Sequence, residues 1–181
     1  MRKITFLGVK FIDINENDFE KIINNNGLFL FPSGPGLSTI LSQKKYHHSL
    51  KNADFVFFDS GFFVLLLNIL KKIKVNKFSG YKFFKKFKSY LKKNPTSIFL
   101  IDPNLKLSKN NRILIKNLGF KNQRINNYIA PIYNTQNLKD DHLLKLINKK
   151  KPKIILINIG GGTQEILGYY LKNKLNFKTK I

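Results

Sequence analysis

Residues 153–165, with the sequence KIILINIGGGTQE, predict a strand, a glycine turn and the start of a helix. Ile and Leu dominate residues 154–159, which favours a strand buried on both faces of a sheet. The three glycines permit positive φ angles and a close approach of a ligand to the backbone. Thr163 is the expected N-cap, and Glu165 suits the positive end of the helix dipole. The stretch therefore suits a phosphate or nucleotide, although the spacing is not G-x-G-x-x-G and a turn without a ligand fits equally well.

Apolar runs alternate with helical patterns along the rest of the chain. The predicted strands cover residues 4–9, 11–14, 28–31, 53–58, 97–101 and 124–129. The predicted helices cover residues 19–23, 38–50, 62–72, 81–93, 111–118, 138–149 and 164–175, with Gly119 closing the fifth. Two prolines and two glycines in residues 32–36 predict a loop. This alternation indicates an α/β fold with a mainly parallel sheet, and no repeat or linker divides residues 1–181 into more than one domain.

The composition is strongly basic, with 33 Lys and Arg, 10 Asp and Glu, and a formal charge of +23. Such a charge attracts phosphorylated substrates, nucleic acid or an anionic membrane surface. An AT-rich genome would favour the same lysine and asparagine codons whatever the function. Only three of the basic residues are arginine and no nucleic-acid-binding motif is present, so we do not expect nucleic acid to be the main partner.

Cysteine is absent, which excludes disulfides and thiolate metal sites and fits a reducing cytoplasm. No secretory signal is evident at the N-terminus, and the longest apolar stretch, residues 62–67, is too short to span a bilayer. The sequence also lacks the spacing of a metal site, so we expect neither a metal nor a cofactor. The expected location is the cytoplasm, with peripheral contact at most with the inner face of the membrane.

The predicted helix at residues 81–93 has apolar side chains on one face and lysines on the other. Such a helix can anchor a protein at a membrane interface. An ordinary packed helix with solvated lysines has the same pattern, and we favour that interpretation.

Three loops at strand ends carry the candidate chemistry: residues 32–36, 59–61 and 160–165. Their only carboxylates are Asp59 and Glu165. Asp59 follows a run of buried side chains, where a carboxylate suits the role of general base. Capping of the next helix is the alternative role for Asp59.

Taken together, these loops resemble the WecG/TagA/CpsF glycosyltransferases (glycosyltransferase family 26), which make bacterial surface polysaccharides and wall teichoic acid linkage units. Four segments follow the family order: LFLFPSGPGLSTIL at 28–41, SLKNADFVFFDSGFFV at 49–64, KFSGYKF at 77–83 and KPKIILINIGGGTQEILGYYLKNKL at 151–175. They keep the family's residues at Asp59, Gly61, Gly80, Gly160, Gln164 and Glu165.

The resemblance implies one Rossmann-like three-layer α/β domain that transfers a sugar without a metal. The donor would be a UDP-sugar carrying an N-acetylmannosamine-like group, and the acceptor a lipid-linked or other glycan. Asp59 would be the general base, and Gln164 and Glu165 would lie at the donor site. The other substrate-binding positions would be Ser33, Gly61 and Gly160.

The chain departs from the family in its first loop, where Phe31, Ser33 and Pro35 replace Thr, Asn and Glu. The family's Pro-Lys before Gln164 is Gly162-Thr163 here. We also expect the family's C-terminal G-V-G-x-x-F-D segment and basic appendage to be absent. Two alternatives therefore stand beside an active enzyme: a degenerate nucleotide-sugar-binding relic, and a basic protein of membrane or nucleic-acid surfaces. An oligomer is compatible with all three.

Overall fold

The computed structural model describes residues 1–94, 96–117 and 124–181. Its strands are β1 (Arg2–Phe6), β2 (Val9–Asp13), β3 (Phe29–Leu30), β4 (Phe55–Phe57), β5 (Ser97–Asp102), β6 (Arg124–Ile129) and β7 (Ile154–Ile157). Its helices are α1 (Phe19–Ile23), α2 (Gly34–Ser38), α3 (Lys44–Lys51), α4 (Gly61–Lys71), α5 (Gly80–Lys93), α6 (Leu105–Asn117), α7 (Asp141–Lys150) and α8 (Thr163–Lys174). A short 3-10 helix, Glu16–Asp18, precedes α1.

The strands form two sheets that the last residues of the chain join. One sheet has the order β1-β2-β4-β3 and the other the order β6-β5-β7. Every neighbouring pair is parallel except the β1–β2 hairpin. Lys180 makes parallel bridges to Gly27, just before β3, and to Ile154 of β7. The chain end thus lies between the two sheets.

Helices cover both faces of the sheets because neighbouring strand residues point to opposite sides. Phe57 of β4 packs in a core with Phe87 of α5, together with α1 and α6. Its neighbour Val56 points the other way, into a core with Leu67 of α4 and with α3. A third core lies between the second sheet and helices α7 and α8. The predicted α/β, Rossmann-like three-layer sandwich with a mainly parallel sheet is confirmed.

The helix predicted at residues 38–50 is wrong in its boundaries. Two helices occupy the region, α2 and α3, and α2 begins inside the stretch that was predicted to be a loop. The hydroxyl of Ser33 accepts a hydrogen bond from the N–H of Gly36, 3.4 Å, and Pro35 lies in the first turn. A serine cap followed by an early proline favours a helix start, and that signal outweighs the glycines.

Helix α5 buries Phe87 and Leu91, so its apolar face packs against the core and the interpretation as an ordinary packed helix is confirmed. Helix α6 begins at Leu105, six residues earlier than predicted, because Asn104 Oδ1 caps it by accepting from Leu107 N at 2.9 Å. The predicted end of that helix, at residues 118–119, lies outside the described residues.

Candidate functional site

A pocket of about 220 Å³ lies between β3 and β7 and extends along both strands to the residues that follow them, Phe31 and Asn158. Its walls are mostly apolar, and Phe31, Phe83 and Phe87 form much of one side. Polar groups of Gln164 and Glu165 reach it from the start of α8. The carboxyl edge of a parallel sheet is the usual ligand-binding edge in α/β folds, so this pocket is the candidate site.

Asp59 follows β4 and is held by the start of α5. Its Oδ1 accepts a hydrogen bond from the N–H of Gly80, 2.8 Å, and Gly80 itself lines the pocket. The cap of α4 is Ser60, whose hydroxyl accepts from Phe63 N at 3.2 Å, so the alternative role of Asp59 as that cap is wrong. Within the described residues, Asp59 Oδ2 has no hydrogen-bond donor. That oxygen can accept a proton from a ligand.

The glycine turn ends in a left-handed residue. Gly162 has φ +85° and is the N-cap of α8, so the prediction of Thr163 as the cap is wrong. A Cβ added to Gly160 or Gly161 would meet no atom within 4 Å, which leaves this part of the turn open. Gly160 therefore has free space beside its backbone, and within this turn only Gly162 needs the conformational freedom of glycine.

Glu165 holds this turn in place. Its carboxylate accepts from Gly162 N at 2.7 Å and from Gln164 Nε2 at 3.3 Å. The residue is only 2% exposed, and burial raises the pKa of its carboxyl, an effect that these hydrogen bonds oppose. Burial, and secondarily the charge of Glu165, raises the pKa of Tyr46 as well. Glu165 thus shapes the pocket wall, while half-buried Gln164 stands at the pocket beside it.

The first loop, residues 32–36, packs between the residues that follow β4 and helix α3. A Cβ on Gly34 would lie 3.1 Å from Ser60 Oγ, and a Cβ on Gly36 only 2.6 Å from the Tyr46 hydroxyl. Ser33 uses its hydroxyl as the cap of α2 and is not among the residues that line the pocket. Of the predicted site residues, Gln164 and Glu165 line the pocket, and Asp59 contacts the lining residue Gly80. Ser33, Gly61 and Gly160 are not among the lining residues.

Lys77 is a candidate ligand contact that the sequence analysis did not single out. A Cβ on Gly61 would lie 3.3 Å from Lys77 Nζ, so the ammonium group stands beside the first residue of α4. The positive end of the α4 dipole and this cation meet two residues from Asp59, which favours a phosphate there. The signal was its position at the start of the third motif, KFSGYKF, three residues before Gly80.

Asn158 is a second residue that the sequence analysis missed. It lines the pocket at the end of β7, and its Nδ2 donates to Asp102 Oδ1 at 2.8 Å. Asn111 donates to the same oxygen at 2.7 Å, whereas Asp102 Oδ2, which is buried, has no partner within the described part of the chain. The buried Asp102 carboxylate thus fixes the orientation of the Asn158 amide. In the sequence, Asn158 is the one polar residue in the apolar run 154–159, and that exception could have indicated a role for it.

Among residues 1–94, 96–117 and 124–181, no three His, Asp or Glu side chains form a group that could hold a metal ion. In the same part of the chain, none of the helices is long and apolar enough to cross a membrane.

Comparison with known proteins gives one family. No curated protein matches the chain. A model of the Glycosyl transferase WecG/TagA/CpsF family matches residues 4–181, nearly the whole sequence. Membership implies glycosyltransferase activity in cell-surface polysaccharide synthesis, with a nucleotide-sugar donor and a glycan acceptor. With this match, and with its order of motifs and its α/β fold, the chain belongs to the WecG/TagA/CpsF family of glycosyltransferases.

Proposed function

We propose that this protein transfers an N-acetylmannosamine-like sugar from a UDP-sugar to a lipid-linked or other glycan acceptor, with Asp59 as the general base. The observation that carries this proposal is the placement of Asp59. Its carboxylate accepts a hydrogen bond from Gly80, which lines the same pocket as Gln164 and Glu165. A fixed carboxylate beside a ligand pocket is what deprotonation of a sugar hydroxyl needs.

In the reaction, Asp59 Oδ2 accepts the proton of the acceptor hydroxyl as that oxygen attacks the anomeric carbon of the donor. The bond between this carbon and the diphosphate oxygen breaks, and UDP leaves with the electron pair. The N–H of Gly80 keeps Oδ1 occupied, so Oδ2 is the oxygen turned to the acceptor. Such general-base assistance typically contributes about 10²–10⁴-fold to the rate.

The donor would be held by the parts of the site that favour negative charge. Lys77 and the start of α4 lie close together beside Asp59 and would neutralise the diphosphate. The open backbone at Gly160 and the amide of Gln164 would contact the nucleotide or its sugar.

Peripheral contact with an anionic membrane is part of this proposal, because a lipid-linked acceptor resides there. Helix α4 presents an apolar stripe to the outside: Phe62, Leu65, Ile69 and Leu70 are 68%, 50%, 63% and 71% exposed. Residues 60–101, which include α4 and α5, contain ten lysines and no acidic residue. An apolar stripe among lysines fits the interface of an anionic bilayer. Because α4 begins two residues after Asp59, it would bring the base close to the inner membrane surface.

A catalytically degenerate nucleotide-sugar-binding protein is the second candidate. The observation that favours it is Ser33, which caps α2 and stands outside the pocket in the loop where the family carries Asn. Such a protein would bind the donor and transfer nothing.

Two measurements test the proposal: calorimetric titration with UDP and UDP-N-acetylmannosamine, and transfer to a short-chain prenyl-diphosphate N-acetylglucosamine. We expect binding of both nucleotides and release of UDP that depends on the acceptor. Binding without transfer would establish the degenerate protein. Absence of binding by any UDP-sugar would refute both.

A further inference from the structure

A groove of about 1090 Å³ lies between the lysine face of α5 and residues 16–24, which include the 3-10 helix and α1. Phe19 of α1 lines the groove, and its ring packs on Phe83 of α5 with a distance of 5.4 Å between the ring centroids. Lys86 Nζ lies 3.2 Å from Glu16 Oε2, so an ion pair also joins the two walls. These contacts hold the walls of the groove in a defined position relative to each other.

The groove is strongly basic. Of the described residues, five lysines line it against two carboxylates: Lys77, Lys82, Lys85, Lys86 and Lys93 against Glu16 and Glu20. Lys86 is the only one of these lysines that lies in an ion pair with an acidic side chain of the described part of the chain. Positions 82, 85 and 93 share one face of α5, because 11 residues are close to three helical turns. The unpaired lysines therefore form a row that attracts a ligand with several negative charges.

Most of the uncharged lining of the groove suits a carbohydrate. It consists of hydroxyl, amide and phenol groups: Ser79, Ser89, Asn17, Asn24, Asn94, Tyr81 and Tyr90. Hydroxyls and amides can both donate to and accept from the hydroxyls of a sugar. Tyr81 is 79% exposed, so its ring is accessible to a ligand and combines an apolar face with a polar tip.

One end of the groove lies close to Asp59. Ser79 lines the groove, and the next residue, Gly80, donates its N–H to Asp59 Oδ1 at 2.8 Å. Lys77 also lines the groove, and its Nζ lies beside the first residue of α4. From Ser79 the lining follows α5 as far as Asn94, which is about 22 Å at 1.5 Å per residue. An elongated ligand along α5 would therefore have one end near the proposed general base.

We propose that this groove binds a negatively charged glycan and directs it to Asp59 as the acceptor. The inference rests on the proposed function and specifies its acceptor: a chain of sugar units that carries carboxylate or phosphate groups at intervals. Lysine attracts either anion as a point charge. The sugar units would contact the hydroxyl, amide and tyrosine groups, and the hydroxyl that receives the new sugar would lie at the Lys77 end.

The test is calorimetric titration with a hexasaccharide of galacturonic acid, which carries six carboxylates. The variant Lys82→Gln with Lys85→Gln removes two charges from the groove. We expect its affinity for this glycan to fall at least about tenfold, since each lost charge contact weakens binding. The matched control is Lys88→Gln with Lys92→Gln, which removes two charges from the same helix at positions outside the lining. Its affinity should stay within about twofold of the parent.

Three results would overturn the proposal. Equal loss of affinity in both double variants would show that the overall charge, and not the groove, binds the glycan. Equally tight binding of neutral maltohexaose would show that the lysines do not select an anionic ligand. Tighter binding of an oligothymidylate with six phosphates, lost in the Lys82 and Lys85 variant alone, would assign the groove to nucleic acid.

The titration needs neither a sugar donor nor transfer, so it is separate from the test of the proposed reaction. Transfer to a prenyl-diphosphate acceptor without binding of the charged hexasaccharide would leave the reaction standing and remove the groove from it. Binding of the hexasaccharide in the groove without any transfer would leave the binding site established and the reaction refuted.

Discussion

Asp59 and Gly80 are joined by a 2.8 Å hydrogen bond that ties the end of β4 to the first residue of α5. A Cβ on Gly80 would meet Phe31 at 3.5 Å, so the backbone here lies close to the pocket wall. The direction of the carboxylate is consequently set by main chain and not by a mobile side chain. A base oriented in this way loses little conformational freedom when a substrate binds.

Replacement of Asp59 by Asn should abolish transfer and leave the fold intact. The amide oxygen of Asn can still accept from Gly80 N, whereas it cannot take a proton from the acceptor hydroxyl. We expect kcat to fall by about 10²–10⁴-fold, with a melting temperature close to that of the parent. UDP release with a prenyl-diphosphate acceptor measures the rate.

Asp54→Asn is the matched control for this substitution. Asp54 precedes β4, at the other end of this strand from Asp59; its Oδ1 pairs with Lys172 and its Oδ2 accepts from Leu28 N, both at 2.8 Å. Asn keeps an oxygen for Leu28 N, so the substitution removes only the ion pair. Because the pair is partly exposed, its loss should cost under about 1 kcal/mol of stability and leave kcat unchanged. Full activity of the Asp59→Asn protein would remove Asp59 from the mechanism.

Replacement of Glu165 by Gln should stabilise the protein at neutral pH. Burial raises the pKa of the Glu165 carboxyl above its ordinary value of 4.5, so ionisation costs the folded state more than the unfolded one. The cost is absent below about pH 4.5, where both states are protonated, and is present in full above the raised pKa. Gln keeps an oxygen for Gly162 N, so we expect a gain in the free energy of unfolding at pH 7 to 8 that vanishes towards pH 4. Thermal unfolding across this pH range measures it, and a gain independent of pH would contradict the explanation.

Two alanine substitutions in the glycine turn should differ in their effect on stability. Gly162 has φ +85° and ψ −57°, a sparsely populated conformation that costs alanine about 1–3 kcal/mol. Gly160 lacks a positive φ and has open space where a Cβ would lie. Gly162→Ala should therefore lower the free energy of unfolding by that amount, whereas Gly160→Ala should not. Urea unfolding of both variants gives the comparison, and equal values would show that the left-handed turn is not required.

Polar substitutions on α4 should weaken binding to anionic vesicles. The double variant Leu65→Gln and Ile69→Gln removes apolar area from the exposed stripe and keeps every lysine. We expect a drop of at least about tenfold in partitioning to vesicles with phosphatidylglycerol, measured by co-sedimentation. Salt should weaken the binding of the parent protein as well, because the lysines contribute.

The control for α4 is the pair Ile113→Gln and Leu114→Gln on α6. These side chains are 46% and 47% exposed, similar to Leu65, and they lie in the helical layer on the other side of the sheet. Their replacement should leave vesicle binding unchanged. An equal loss in both double variants would show that general hydrophobicity, and not α4, determines the contact.

The sequence allowed the strand, glycine turn and helix around residues 154–175 to be predicted because periodicity and glycine act locally. Asp59 and Gln164 could be brought together only through the family order of motifs. The site residues themselves remain predictions. Caps were harder to assign: Ser60 and Gly162, not Asp59 and Thr163, cap α4 and α8. Adjacent residues can often serve equally well as caps. A tertiary contact, such as the hydrogen bond from Gly80 to Asp59, then determines which of the two residues caps the helix.

The pairing of Lys180 with both Gly27 and Ile154 could not be predicted. It joins residues more than 150 positions apart in one case, and no local pattern encodes such a contact. Lys77 was missed for a related reason, since its proximity to Gly61 depends on the path of the chain after α4.

Tyr46 lies between the first loop, residues 32–36, and the glycine turn at residues 160–165. Its ring is buried, its hydroxyl stands against the Cα of Gly36, and the charge of Glu165 acts on it from the side of the glycine turn. The chain has no tryptophan, so its intrinsic fluorescence comes from seven tyrosines. A ligand that displaces either loop must change the surroundings of Tyr46. The tyrosine fluorescence of this protein should therefore change when a ligand binds at the site.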